Sequence, residues 1–193
     1  MIKQVSVFCA SSNKVKQEFY KATRDTGEIL ARENITVFYG GGTDGLMGEL
    51  ANTIIREKGK IIGIQPQFMK DSKWFHEKIT KLIIANDMHE RKKLLFENSD
   101  AIIALPGGIG TLDELVEIIT LKQLGQYLKP VIIINTNGFY DPFIRFLDNL
   151  IQENFMRELH REIWTVIDNP NQLMDTLKNT PSWDPNNLSL AQI

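Results

Sequence analysis

The sequence predicts an α/β fold, a single-domain, doubly wound (Rossmann-like) parallel sheet flanked by helices. Three observations carry this. Short runs of Val and Ile alternate with amphipathic segments along almost the whole chain of 193 residues. Strands that are apolar without alternation are those covered on both faces, as in parallel sheets. Two glycine-rich turns, Gly40-Gly41-Gly42 and Pro106-Gly107-Gly108, each follow such a run and precede a pattern of helical period. The length suits one domain, over residues 1–180, with residues 181–193 as a C-terminal tail.

The elements follow in order. Residues 5–9 are a first strand, and Ser12 or Asn13 can cap a helix running to about Glu33, with Phe19, Ala22, Thr23, Thr26, Ile29 and Leu30 on one face. Asn34 ends that helix, and residues 35–39, β-branched and aromatic, form a second strand. After the first glycine turn, residues 46–57 are a helix with Leu46, Leu50, Thr53 and Ile54 inward, stopped by Gly59. Residues 60–64 are a third strand closed by Gln65-Pro66, and residues 67–78 have no clear period. Residues 82–84 are a fourth strand, and Asp87 can cap the helix that holds Met88 to Phe96. Residues 100–105 are a fifth strand. Leu112, Leu115, Val116 and Ile119 then mark one helix face, which ends near Gly125. Residues 130–134 are a sixth strand, and the next helix carries Phe143, Phe146, Leu147, Leu150 and Ile151 on one side. A last strand at about residues 163–167 precedes a helix opened by Asp168-Asn169-Pro170. Beyond Thr180 the chain reads as loop or loose terminus.

Composition excludes several classes of function. A formal charge of −2 gives no electrostatic reason to bind nucleic acid or an anionic membrane. The single cysteine, Cys9, forms no intrachain disulfide, which suits a reducing, cytoplasmic compartment. No apolar run approaches the ~18 residues of a membrane span, and the N-terminus is too short and too alternating for a signal peptide. His76, His89 and His160 have no metal-ligand spacing with each other or with Cys9, so no metal is expected. Gly40, Gly42 and Gly45 spell G-x-G-x-x-G. Two details argue against a nicotinamide enzyme: the motif follows the second strand, and the next strand ends Ile64-Gln65-Pro66, without the acid that holds ribose hydroxyls. There is no P-loop pattern and no serine in a nucleophile elbow.

The stretch Leu105-Pro106-Gly107-Gly108-Ile109-Gly110-Thr111-Leu112-Asp113-Glu114 is the strongest functional signal. Glycines let the backbone approach a ligand closely, and the free N–H groups opening a helix favour an anion. Thr111 can cap the helix or donate to a phosphate. Glu114 suits the positive end of the helix dipole, so a first-turn stabiliser is its plain structural reading. Arg91 and Lys92 open a helix just past a strand end, the unfavourable end for a cation, which points to a phosphate or carboxylate partner or a surface ion pair. If the two helices lie side by side, Asp87, Glu90, Arg91, Asp113 and Glu114 converge. An arginine for phosphate and a glutamate for a developing cation suffice to cleave a bond at C1′ of a nucleotide, where the transition state resembles an oxocarbenium ion.

Three segments together, residues 39–48, 87–92 and 106–114, closely resemble the LONELY GUY (LOG) family, the third matching its PGGxGTxxE motif at every fixed position. The resemblance implies a cytokinin riboside 5′-monophosphate phosphoribohydrolase, which hydrolyses the N-glycosidic bond of an N6-substituted adenosine monophosphate, or of AMP, to free base and ribose 5-phosphate. Arg91 and Glu114 carry over as the catalytic pair. Gly107, Gly108, Gly110 and Thr111 carry over as the phosphate-binding turn and Lys92 as a substrate contact. Gly41, Gly42 and Ser12 are further candidate ligand contacts. The resemblance also implies a homodimer whose sites take residues from both subunits, and no cofactor. For the interface, the faces near Leu121 to Leu128 are candidates. The family's old label of lysine decarboxylase finds no support in the residues, which offer no pyridoxal phosphate site. One departure is Cys9-Ala10-Ser11-Ser12, where the family commonly has Cys-Gly-Ser-Ser. The alternative from another class is a non-catalytic nucleotide or cofactor carrier on the same fold, as in the related molybdenum-cofactor carriers.

Overall fold

A computed structural model describes residues 2–184. Seven strands form one parallel sheet in the order β4-β3-β2-β1-β5-β6-β7. They are β1 Gln4–Phe8, β2 Thr36–Tyr39, β3 Ile61–Pro66, β4 Lys81–Ala85, β5 Ala101–Ala104, β6 Val131–Ile134 and β7 Thr165–Ile167. The helices are α1 Gln17–Arg32, α2 Gly45–Arg56, α3 Gln67–Asp71, α4 Met88–Glu97, α5 Ile109–Gln123, α6 Asp141–Gln152 and α7 Leu173–Asn179. None of the described helices is long and apolar enough to cross a membrane.

Residue alternation divides the core into two layers. Val5, Val7, Ala101 and Ile103 face the layer of α1, α2 and α7, whereas Phe8, Ile102 and Ala104 face that of α4, α5 and α6. Both faces are therefore covered, and the central strands carry no polar alternation because neither side meets water. Leu46, Leu50, Thr53 and Ile54 of α2 are fully buried, as their spacing implies. From β1 the chain winds outward through β2, β3 and β4, then returns to place β5 on the other side of β1. The carboxyl ends of β1 and β5 thus flank the point where the strand order reverses, the place where such folds hold ligands.

Several boundaries differ from the sequence reading, each for a local reason. α1 starts at Gln17, because Ser12 Oγ accepts from the Lys14 N–H in a preceding turn rather than capping the helix. α5 starts at Ile109, one turn before the apolar pattern becomes visible, with Gly108 as its N-cap. Residues 67–71, which show no period, form the short α3, all of it unburied. Ile163 ends a 3₁₀ turn, Glu158–Ile163, ahead of β7, and Pro170 opens another, Pro170–Gln172, ahead of α7. Phe146 shares the apolar side of α6 but is 57% exposed, because Leu147 and Ile151 take the inward positions. The tail is not loose at its start: Trp183 is buried and its backbone N–H donates to the Leu128 carbonyl at 2.8 Å. The rest of the predicted tail, residues 185–193, lies outside the described residues.

Lys122 on α5 is 1% exposed, and burial lowers its pKa to about 8. The unfolded chain holds that proton up to the ordinary lysine range, so between the two values it binds more protons than the folded protein. Stability contributed by this site therefore rises with pH. Lys122→Met should be more stable than the parent by about 2 kcal/mol at pH 7. The parent should recover most of that difference by about pH 9.5. Urea unfolding at both pH values checks this, and a difference that does not change with pH refutes it.

Candidate active site

A cleft of about 350 Å³ opens where the strand order reverses. One wall is the end of β1, through Cys9, Ala10 and Ser11, and another is the turn into α5, through Gly108, Ile109, Gly110 and Thr111. Gly40 at the end of β2 closes the middle, and Met47, Met69 and Met88 reach in from α2, α3 and α4. Arg91 and Glu114 line it, with Asp113 beside them.

The turn from β5 to α5 is built for close approach. Thr111 does not cap the helix: it lies one turn in, 4% exposed, and its side chain folds back over Gly107. A Cβ at Gly107 would sit 2.1 Å from Thr111 Oγ1, so only glycine lets the threonine occupy that place. Nothing lies within 4 Å of a Cβ built on Gly108 or Gly110, so the backbone there is open to the cleft. Gly108 has no side chain to satisfy the first N–H groups of α5, which remain available to an anion. The turn is held from behind. Tyr140 Oη donates to the Leu105 carbonyl at 2.8 Å, and the Ala10 N–H donates to the Pro106 carbonyl at 3.2 Å.

Arg91 and Glu114 form a buried ion pair. Arg91 Nη1 donates to Glu114 Oε1 at 2.8 Å, and Arg91 Nε donates to the Ile64 carbonyl at 3.2 Å. Their side chains are only 9% and 11% exposed. α4 can carry this arginine in its first turns because Asp87 caps it, accepting from the Glu90 N–H at 2.8 Å. Gly40 makes room for the guanidinium, since a Cβ there would lie 2.6 Å from Arg91 Nη2. Burial pushes the Glu114 carboxyl above its usual range, and the adjacent Arg91 charge opposes that without cancelling it. Burial, and then the Glu114 charge, push the Cys9 thiol up, so it stays protonated and inert.

Other candidate residues sit elsewhere. Lys92 is not in the cleft lining itself but pairs with Asp113, which is, at 3.2 Å, and with Glu117 at 3.0 Å. Burial disfavours its charge, but Glu117 and Asp113 outweigh that and raise its pKa. Ser12 borders an adjoining apolar hollow with Phe19, Phe139 and Gly107, which shares Ala10 and Gly108 with the cleft. Gly41 and Gly42 are packed under the turn rather than lining the cleft: a Cβ would meet Gln65 at one and Met47 at the other. Asp87 and Glu90 are occupied at the α4 N-terminus, where Glu90 accepts from the Asn86 N–H. Leu121 and Leu128 pack partly into the core, whereas Ile109 and Val116 are the exposed apolar residues of α5, at 84% and 45%. Sequence reasoning missed Gly40, Met47, Met69 and Met88. All but Met69 lie inside the segments that signalled the site. Met69 gave no signal, because the 67–78 segment has no period to place it.

The chain is similar to known proteins over most of its length. The family model described as possible lysine decarboxylase matches residues 47–177. The chain is 37% identical over 176 residues to a rice (Oryza sativa subsp. japonica) probable cytokinin riboside 5′-monophosphate phosphoribohydrolase, LOGL2, covering 91% of this chain and 72% of the relative. It is 40% identical over 162 residues to the cytokinin riboside 5′-monophosphate phosphoribohydrolase LOG3 of Arabidopsis thaliana, covering 83% and 75%. Among solved structures it is similar to the molybdenum cofactor binding protein of Rippkaea orientalis, with a TM-score of 0.69 at 21% identity, covering 92% of this chain and 96% of that one. At that identity the likeness shows the fold alone.

The buried pair makes a prediction that needs no substrate. Arg91→Met strands the Glu114 carboxylate, which should cost roughly 3 kcal/mol of stability at pH 8. Removing the cation raises the Glu114 pKa further above its unfolded value. The folded variant then binds more protons than its unfolded chain, and its stability falls as pH rises. The deficit measured by urea unfolding should shrink at pH 5; an equal deficit at both pH values overturns this account.

Proposed function

The chain belongs to the LONELY GUY (LOG) family, and we propose that it is a phosphoribohydrolase acting on cytokinin riboside 5′-monophosphates, AMP, or both. It hydrolyses the N-glycosidic bond and releases free base and ribose 5-phosphate. The observation that carries this reading is the buried Arg91–Glu114 pair set beside the open N-terminus of α5. An anion site and a desolvated carboxylate one helical turn apart match a substrate with a phosphate near a carbon that becomes cationic.

In this reading the 5′-phosphate lies on the N–H groups of residues 108–111, and Glu114 faces the ribose. The C1′–N bond breaks, its electron pair leaves with the base, and water adds its oxygen to C1′; one of its protons passes to the base and the other stays on the new C1′ hydroxyl. Glu114 stabilises the positive charge at C1′ and orients the water, in a site where low dielectric strengthens that effect. Arg91, tied to the Ile64 carbonyl, holds the carboxyl group in place and opposes the burial that disfavours its charge.

A homodimer belongs to the same proposal. Within one chain Arg91 and Lys92 are both engaged by carboxylates. Balancing the phosphate charge then falls to the helix N-terminus and to a residue from a second subunit. Exposed Ile109 and Met88 line the cleft, and with Val116, exposed further along α5, they offer the apolar face for it. A cytoplasmic setting fits the lone, buried Cys9.

Purified protein incubated with AMP, with isopentenyladenosine 5′-monophosphate and with adenosine should release base from the two monophosphates and not from adenosine. Glu114→Gln should keep its fold and lose about 100-fold or more in kcat. A folded, fully active variant sinks the assignment, and tight nucleotide binding without product points to a carrier instead. Val116→Glu should shift the light-scattering mass from dimer to monomer; a parent that is already monomeric rejects the dimer.

A further inference from the structure

The segment between β3 and β4 stands over the cleft with little packing of its own. No residue of α3 is buried, and Phe68 and Trp74 are 55% and 57% exposed. Yet Met69 reaches the cleft wall. What fixes this segment is Gln65, near the end of β3 and 2% exposed. Its Nε2 donates to two backbone carbonyls, Gly40 at 3.2 Å and Trp74 at 2.7 Å. Its Oε1 has no partner among the described residues, so the side chain's bonding rests on its two N–H groups. Gly41, at φ +80°, lies directly on its stem, where a Cβ would be 2.8 Å from Gln65 Cγ. The Gly41 carbonyl in turn accepts from the His76 N–H at 3.0 Å, and the His76 ring meets Asn52 Oδ1 at 3.1 Å.

The sheet order says what this wall faces. An anion on the α5 N-terminus sits at the end of β5, and Met69 hangs from the end of β3, with β1 and β2 between. Three strand spacings are about 14 Å, comparable to the length of a nucleoside monophosphate. The phosphate and ribose therefore occupy the β5–β1 side and the base extends towards Met47 and Met69. Methionine side chains suit such a wall, because they adapt to a flat ring without requiring a particular hydrogen-bonding edge.

We infer that Gln65 is a positioning residue: by bridging the Gly40 and Trp74 carbonyls it fixes the Met69 wall against the base, on the side of Gly40 away from the phosphate turn. This rests on the phosphoribohydrolase reading above. Gln65→Met keeps the volume and removes both donors. It also removes an unpartnered buried acceptor, so the fold should survive. Steady-state kinetics with AMP, alongside inhibition by ribose 5-phosphate, separate the two ends of the site. Gln65→Met should raise the KM for AMP by about tenfold, with kcat changed less than about threefold. The inhibition constant for ribose 5-phosphate, which has no base to touch the wall, should stay within about twofold. Met69→Ala, on the unburied helix, should show the same split. An active parent whose variants keep the parental KM, or lose ribose 5-phosphate inhibition in step with it, overturns the role of Gln65 alone. A folded parent that releases base from neither AMP nor isopentenyladenosine 5′-monophosphate overturns the hydrolase reading itself, and this inference with it.

Discussion

The site depends on one buried guanidinium. Arg91 is 8% exposed and has to be satisfied from every side. The end of β3 supplies a carbonyl, α5 supplies the Glu114 carboxylate, and β2 supplies a glycine that leaves room. Three separate elements are thereby held to the helix that carries the arginine. A buried ion pair is a weak source of stability, since the cost of removing both charges from water cancels much of the attraction. Its persistence in the middle of the cleft is better explained by what it does there. It fixes a carboxyl group in direction in a dry site, with the arginine charge opposing the effect of burial.

The turn into α5 complements this pair without any charged side chain. Its binding capacity comes from backbone N–H groups, made reachable by residues that lack side chains and stiffened from behind by Tyr140 and by the β1 backbone. One end of the cleft is thus rigid and polar. The other end, built from methionines on α2, α3 and α4, is apolar and adaptable. Such a division suits a substrate whose phosphate is invariant and whose base carries variable apolar groups.

Much of this could be read from the residues. Parallel-sheet strands announce themselves by uninterrupted Val and Ile, and the helices of α2 and α5 by their period, because burial on a regular element leaves a regular trace. The glycine turns, Arg91 and Glu114 stood out because few structures require those residue types in that order. The side-chain directions that could not be read share a cause. Ser12, Gly41 and Gly42 are adjacent in sequence to groups that line the cleft, yet their backbone turns direct them elsewhere. Lys92 neighbours Arg91 but faces Glu117 and Asp113, since consecutive residues on a helix point about 100° apart. Trp183 followed a proline-containing stretch that resembles a loose end, and only the hollow it fills shows that it is core.

By itself, then, the sequence determined the fold class, the order of the seven strands, the glycine turn that opens α5 and the family, because each of these is written in local spacing. Only the tertiary structure decided which of the motif residues meet. It paired Arg91 with Glu114 across two helices, tied Lys92 to Asp113 and Glu117, and brought Met69 from an aperiodic segment to the cleft beside the strand-end Gln65. Those relations join residues distant in the chain, and they are fixed by the winding order of the sheet and by the need to satisfy buried polar groups, neither of which leaves a short-range pattern.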